Sequence, residues 1–455
     1  MSKINVVYLH SHDTGRYTSA YGHALQTPHM QKLAERGVLF RQAFCNNPTC
    51  SPSRACLLTG QYAHSNGMMG LAHRGGKLND PSQMLPYFLR DAGYETAICG
   101  FQHVTGGDSP LTMDQLGYSL DLSAQRDIQP APTGANDIAT AAVAADFLRT
   151  RGQDQPFFLD VGFTTTHRTN KKDSDVQWHN GELSPQGDPR YVQVPACLPD
   201  TPETRADYAD YAVAVTRLDD YIGRVLDALD EAGLAENTLV ICTTDHGIAY
   251  PHMKCNLTAH GTGVMLTLAG GGFDGGVVVD SLVNHIDLFP TVCDVLDFDQ
   301  PAWLQGQSLT PLRKDPAAAL NEALFAEVNY HAAHEPKRSV RTKRHSYIRR
   351  ITTRNHQVLP NCDDSVSKNV LLEAGWRDRP QVAEQLYDLV FDPTESQNVI
   401  DDPAYAEALA DLRGRLDGWM QETDDPALTG RVELTGMTVN PAEGEGPRSQ
   451  GTAVT

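Results

Sequence analysis

Apolar positions along the chain fall into two patterns: short unbroken runs, and longer stretches in which every third or fourth residue is apolar. Residues 4–9 make the first run and read as a buried strand, followed at once by the polar segment His10 to Arg16. Helical spacing appears at 29–38 and again at 84–92, and Glu95 to Cys99 reads as the next strand. Residues 156–163 form another apolar run. The clearest helix is predicted over 206–231, where Tyr211, Val215, Leu218, Ile222, Val225 and Leu229 alternate steps of four and three and define one buried stripe. Gly233 is a stop signal just past it, and Thr238 to Thr243 is an apolar strand that runs into Asp245 and His246.

Strands alternating with helices predict an α/β fold, a mostly parallel sheet with helices on both faces. Ligands of such sheets bind beyond the carboxyl ends of the strands. His10 to Asp13, His167 and the Asp245-His246 pair all follow predicted strands, which gives them more weight than the same residues elsewhere. A second, smaller α+β unit is expected from residue 336 to 439, leaving 1–335 as the catalytic domain. Within it, Lys337, Arg338, Arg341, Lys343, Arg344, Arg349 and Arg350 alternate with apolar residues in a strand-like way and read as a solvated face. A final helix fits 403–421, and residues 440–455, rich in Gly, Pro, Ser and Glu, read as a disordered tail.

Composition narrows the function. The 57 acidic and 37 basic residues give a formal charge of -20, which argues against nucleic acid or an anionic membrane as partner. No apolar window is long enough for a membrane span, and the first residues lack the pattern of a secretory signal. Nine cysteines at irregular spacings make a disulfide framework unexpected, so the sequence predicts a cytoplasmic protein with reduced thiols.

The informative stretch runs from Pro48 through Cys50, Pro52 and Arg54 to Leu58-Thr59-Gly60. Arg54 lies four residues after Cys50 and shares its face on a starting helix, where a guanidinium can neutralise a developing oxyanion. This stretch resembles the Cys-x-Pro-x-Arg signature of the sulfatase family, formylglycine-dependent enzymes of the alkaline phosphatase superfamily. The segment Thr59 to Met68, and the region from Tyr387 through Asp392-Pro393 to Asn398, resemble the sulfamidase (heparan N-sulfatase) branch. The resemblance covers most of the chain. It implies a mixed sheet sandwiched by helices and a smaller C-terminal domain. It also implies that a separate formylglycine-generating enzyme oxidises Cys50 to an aldehyde. The hydrated aldehyde attacks sulfur through one hydroxyl and expels sulfate through the other, an exit that a plain serine ester lacks.

The resemblance further implies a divalent metal bound by Asp13, Asp245, His246 and the residue derived from Cys50. His12 stands where the family has an aspartate, either as a nitrogen ligand or as a group just outside the shell. Calcium is the family's ion, and manganese is the alternative that two imidazoles make attractive. On the substrate side, His103 matches a family histidine that acts as acid or sulfate ligand. His167 matches one that contacts the ester, and Lys254 a lysine that protonates or steadies the leaving oxygen. Phe101 occupies the position of a family lysine, so one sulfate-binding cation is missing there, and a ring in its place could stack on an aromatic leaving group. His64, His331, His334 and Arg341 are further candidates for the pocket.

The function expected is therefore hydrolysis of a small anionic ester, an aryl-type sulfate or an N-sulfate. Hydrolysis of phosphonate monoesters or phosphodiesters is the alternative within the superfamily, and a non-catalytic binding domain is the alternative outside enzymes. A homo-oligomer is left open.

Overall fold

The computed structural model describes residues 4–107, 110–125, 135–151, 155–170, 176–178, 187–430, 432, 435–447 and 451–453. Strand Asn5–Ser11 is buried at every residue, which explains its nearly continuous apolar sequence. It lies inside an eight-stranded sheet between Thr238–Thr244 and Phe157–Gly162, parallel to both. Beyond Phe157–Gly162 come Glu95–Gly100 and Leu120–Asp121, also parallel. On the other side Leu266–Ala269 runs antiparallel between Thr238–Thr244 and Val38–Phe40, and Val277–Val279 closes that edge. The sheet is thus mixed, with its central strands parallel.

Helices cover both faces. On one, Pro202–Glu231 lays Leu218, Ile222, Val225 and Leu229 over Val7, Leu9 and Leu159. Ala135–Thr150, which the hydrophobic pattern does not announce, packs against that helix and the same sheet face through Ala141, Ala144, Ala145 and Leu148. On the other face Cys50–Thr59 is buried at every residue. It ends at Gly60, whose φ of 67° lies in the left-handed region that favours glycine.

The smaller sheet has the antiparallel order Leu324–Tyr330, His334–Arg341, His345–Arg350, Glu384–Asp388. It opens at Leu324, ahead of the expected boundary at 335, and helix Ala406–Glu422 packs across it. Two expectations change here. The charge run at 337–350 is not a uniformly solvated face, because Lys337, Arg338 and Arg341 are buried and paired. Arg338 donates to both oxygens of Asp425, at 2.5 and 2.7 Å, Lys337 lies 3.3 Å from Glu335, and Arg341 reaches Glu395 at 2.5 Å. Nor is the segment after 440 structureless throughout. Thr438–Val439 pairs with Thr452–Ala453, and Arg74 donates to Asn440 and to the Pro447 carbonyl. Polar anchoring substitutes there for the apolar burial that the composition lacks.

Candidate active site

The carboxyl ends of the central strands converge where the sequence places them. Asp13 follows Asn5–Ser11 in a left-handed conformation with φ 54°, a strained geometry for a non-glycine residue, with its backbone N–H directed at Asp245. Asp245 accepts the Asp13 backbone N–H at 2.8 Å through Oδ1, leaving Oδ2 to face the site. His12 Nδ1 lies 2.7 Å from Asp13 Oδ1 and 3.1 Å from Asp245 Oδ2. His246 Nε2 lies 3.3 and 3.6 Å from the same two oxygens. One ligand atom from each of His12, Asp13, Cys50, Asp245 and His246 falls within 4.8 Å of all the others, and all five residues are buried.

These residues fit a metal ion. His246 Nδ1 lies 2.9 Å from the Gly247 carbonyl, so the ring proton belongs on Nδ1 and Nε2 presents a lone pair. That Nε2 is buried without a hydrogen-bond partner. Two carboxylates and two imidazoles are the donor set of a divalent cation. Lys254 holds Asp13 ionised: burial works against it, but the Lys254 ammonium, helped by the nearby His167 and His246 rings, brings its pKa to about 2. Asp245 moves the same way, with His12, His246 and Arg54 outweighing its burial.

Cys50 is the first residue of its helix. Burial pushes its thiol well above the ordinary range, so the group is protonated at neutral pH. Arg54, one turn later, donates through Nη2 to Asp245 Oδ2 at 2.9 Å and to the Ser11 carbonyl at 3.0 Å. The Phe101 ring covers its guanidinium at 5.2 Å and lies 5.1 Å from the His12 ring.

Lys254 reaches in from a loop tied to the nucleophile segment by a Cys255 N–H bond to the Pro48 carbonyl. Its ammonium lies 3.1 Å from Asp13 Oδ2 and 3.2 Å from Asp363 Oδ2. Burial alone would lower its pKa, yet Asp13 and Asp363 raise it well above the usual value, so Lys254 is a permanent cation. His167 follows Phe157–Gly162 on a turn held by Asp137, which accepts the Thr164 and Thr165 N–H groups at 2.7 Å each. Its Nε2 lies 3.9 Å from Asp13 Oδ2, and its side chain is 27% exposed where the cluster around it is closed. Burial lowers the pKa of both His167 and His103. His103 stands at the edge of the site, its Nε2 2.9 Å from His73 Nδ1.

All of Cys50, Arg54, Asp13, Asp245, His246, His12, His167 and Lys254 therefore come together, with His103 beside them. His64 does not, since its ring is bonded to Glu327 at 2.8 Å. Arg341 pairs with Glu395, and His334 neighbours Arg354 and Glu335. His331 is buried close to Lys254 and Asp363. The sequence reading missed Asp363, His73 and Asp160, and weighed His10 only among the polar residues expected after the first strand, whereas it lies within that strand. Asp363 sits outside any motif. It is brought to Lys254 by a segment that Lys368 ties down through the Leu359 and Cys362 carbonyls, at 3.1 and 2.8 Å.

The fold, with the Cys50 helix set against an Asp/His cluster, is one that can hold a metal and a tetrahedral anion. The family model described as Sulfatase matches residues 4–298. The chain belongs to the sulfatase family and is a sulfuric ester hydrolase. It is similar to the human N-sulphoglucosamine sulphohydrolase, 33% identical over 470 residues that span 93% of this chain and 91% of the relative. An ulvan-active sulfatase of Formosa agariphila is 25% identical and spans 94% of this chain and 77% of its own. Among solved structures, a protein in complex with its substrate D-glucosamine-2-N,6-O-disulfate superposes with a TM-score of 0.67, at 19% identity and 93% and 99% coverage of the two chains. The phosphonate monoester hydrolase of Agrobacterium radiobacter superposes at 0.64 with 20% identity over 95% and 98%, a likeness of fold.

Proposed function

We propose that this sulfatase works through a formylglycine made from Cys50 and cleaves a sulfate or N-sulfate borne by an amino sugar. The observation that supports it most is the placement of Cys50 at a helix start within the Asp13, Asp245, His246 and His12 cluster, with the buried Lys254 beside it and the more exposed His167 at its edge. The sugar reading is supported by the likeness to the human N-sulphoglucosamine sulphohydrolase and by the polar surroundings of Lys254, where Asp363 and His331 stand.

In this reading Asp13, Asp245, His246 and His12 hold a divalent cation. When bound, it draws charge from the sulfate oxygens and acidifies the attacking hydroxyl. Calcium is the ion the resemblance implies, whereas the two imidazoles suit manganese better. Arg54 steadies the nucleophile's oxygen. Lys254, too strong a base to give up its proton at neutral pH, clamps a sulfate oxygen. His167, the more exposed group, donates a hydrogen bond to the departing oxygen or nitrogen, and His103 donates a hydrogen bond to sulfate. The same family pattern names a formylglycine-generating enzyme as the chain's modifying partner, and the nine free thiols support a reducing, cytoplasmic setting. Among the described residues no helix is long and apolar enough to cross a membrane.

The test joins three measurements. The intact mass of active protein should show the Cys50 thiol exchanged for an aldehyde. Elemental analysis after dialysis should find about one divalent metal per chain. Cys50→Ala should abolish turnover while the circular dichroism spectrum stays that of the wild type. An active Cys50→Ala variant, or full activity in metal-free protein, rules the mechanism out.

A further inference from the structure

His10 is an imidazole within a fully buried strand, and nothing in the motifs accounts for it. Both of its nitrogens are engaged. Nε2 lies 2.8 Å from Asp160 Oδ1, and Nδ1 lies 2.5 Å from Arg54 Nη1. A guanidinium can only donate, so Nδ1 accepts and the ring proton sits on Nε2, directed at Asp160. The second oxygen of Asp160 accepts the Tyr118 hydroxyl at 2.5 Å. The result is a buried line from Arg54 through His10 to Asp160 and Tyr118, none of them more than 3% exposed. Gly162 makes room for it, since a Cβ there would stand 2.5 Å from His10 Cε1.

An arginine beside a buried aspartate ordinarily spends two parallel N–H bonds on it. Arg54 spends one, because its other arm is taken by His10. Its Nε is buried and has no hydrogen-bond partner in the protein. We propose that His10 and Asp160 are positioning residues for Arg54. They draw one arm of the guanidinium onto the His10 ring, itself held by Asp160, so that Asp245 keeps electron density for the cation and Nε–H stays available to the oxygen of the nucleophile. Tyr118 fixes Asp160 in turn. The inference rests on the reading of Arg54 as the residue that steadies that oxygen.

An interaction completed only as the nucleophile attacks acts on kcat rather than KM. The experiment measures 4-nitrophenyl sulfate hydrolysis by variants matched for metal content and Cys50 conversion. His10→Leu/Asp160→Leu replaces the pair with apolar residues and strands no carboxylate. Its kcat should fall by on the order of 10- to 100-fold, the scale of one hydrogen bond to a charged group, with KM nearly unchanged. His10→Gln keeps one acceptor and one donor and should recover part of that loss. Wild-type kcat in the double variant overturns the proposal, as does a His10→Gln variant no faster than the double variant. If the double variant does not fold, Asp160→Asn decides, because an unchanged kcat there also overturns it. Arg54→Lys is run in parallel. Full activity in that variant defeats the reading of Arg54 itself, whereas an inactive Arg54→Lys beside an unaffected His10 pair defeats only the positioning role.

Discussion

Phe101 shows how far single residues were legible and where they were not. The sequence places it at the site because it stands at a family lysine position. The structure adds that its ring lies over Arg54 and against His12. It is therefore a lid on a buried cation, and stacking on a leaving group is the further role expected of it. Phe101→Ala should lower kcat/KM for aryl sulfates more than for alkyl sulfates, and Phe101→Lys should narrow the range of anions accepted. Equal losses across both substrate series would mean that the ring serves Arg54 alone. Residues in contiguous family motifs, such as Cys50, Arg54 and Asp245, could be read directly. His10 and Asp160 could not, because their meaning lies in a contact between residues 150 positions apart. Asp363 is similar, since its role appears only when Lys254 is seen between it and Asp13.

At the scale of elements, the long helix Pro202–Glu231 was visible because large side chains mark one face. Ala135–Thr150 was not, since its buried positions are mostly alanine and give little contrast between faces. Strand His334–Arg341 went wrong for another reason: charge in a sequence does not reveal whether a partner waits for it. Asp425 lies far along the chain and accepts the Nε–H and one Nη2–H of Arg338, while Nη1 donates to the Val328 and Lys337 carbonyls. Asp425→Ala leaves that guanidinium buried with Glu327, 3.6 Å away, as its remaining acid neighbour. It should cost about 3–5 kcal/mol in chemical denaturation. Arg338→Met combined with Asp425→Leu should cost much less, and equal costs for the two variants would show that packing rather than stranded charge sets the loss.

For the molecule as a whole, the larger sheet and its helices meet the smaller sheet through ionic contacts as well as apolar ones. His64, from the segment after the nucleophile helix, bonds Glu327 in the small sheet at 2.8 Å. Burial lowers the His64 pKa, but Glu327 outweighs it and the net shift is upward from 6.5. Its contribution to stability is therefore complete below about pH 6.5 and is lost as pH rises through the folded-state value. Glu327 is the converse. His64 and Arg338 overcome its burial and bring it to about 2, so its contribution is present above 4.5 and fades on acidification. The melting temperature of His64→Gln should fall less than that of the wild type between about pH 6 and pH 9. Parallel curves would show that the contact does not titrate.

Cys50 is 2% exposed, and every residue of its helix from Cys50 to Thr59 is buried between the large sheet and its surroundings. A modifying enzyme has to grasp several residues on either side of its target, and a finished molecule offers none of them. Under the conversion of Cys50 proposed above, timing becomes decisive: the chain would be open to a modifying enzyme until this helix docks and closed to it afterwards. The yield of working enzyme is then set by a race between synthesis, modification and collapse. On that proposal, overproduction should leave a well-folded, inert population whose intact mass retains the Cys50 thiol and which later exposure to the modifying enzyme does not rescue.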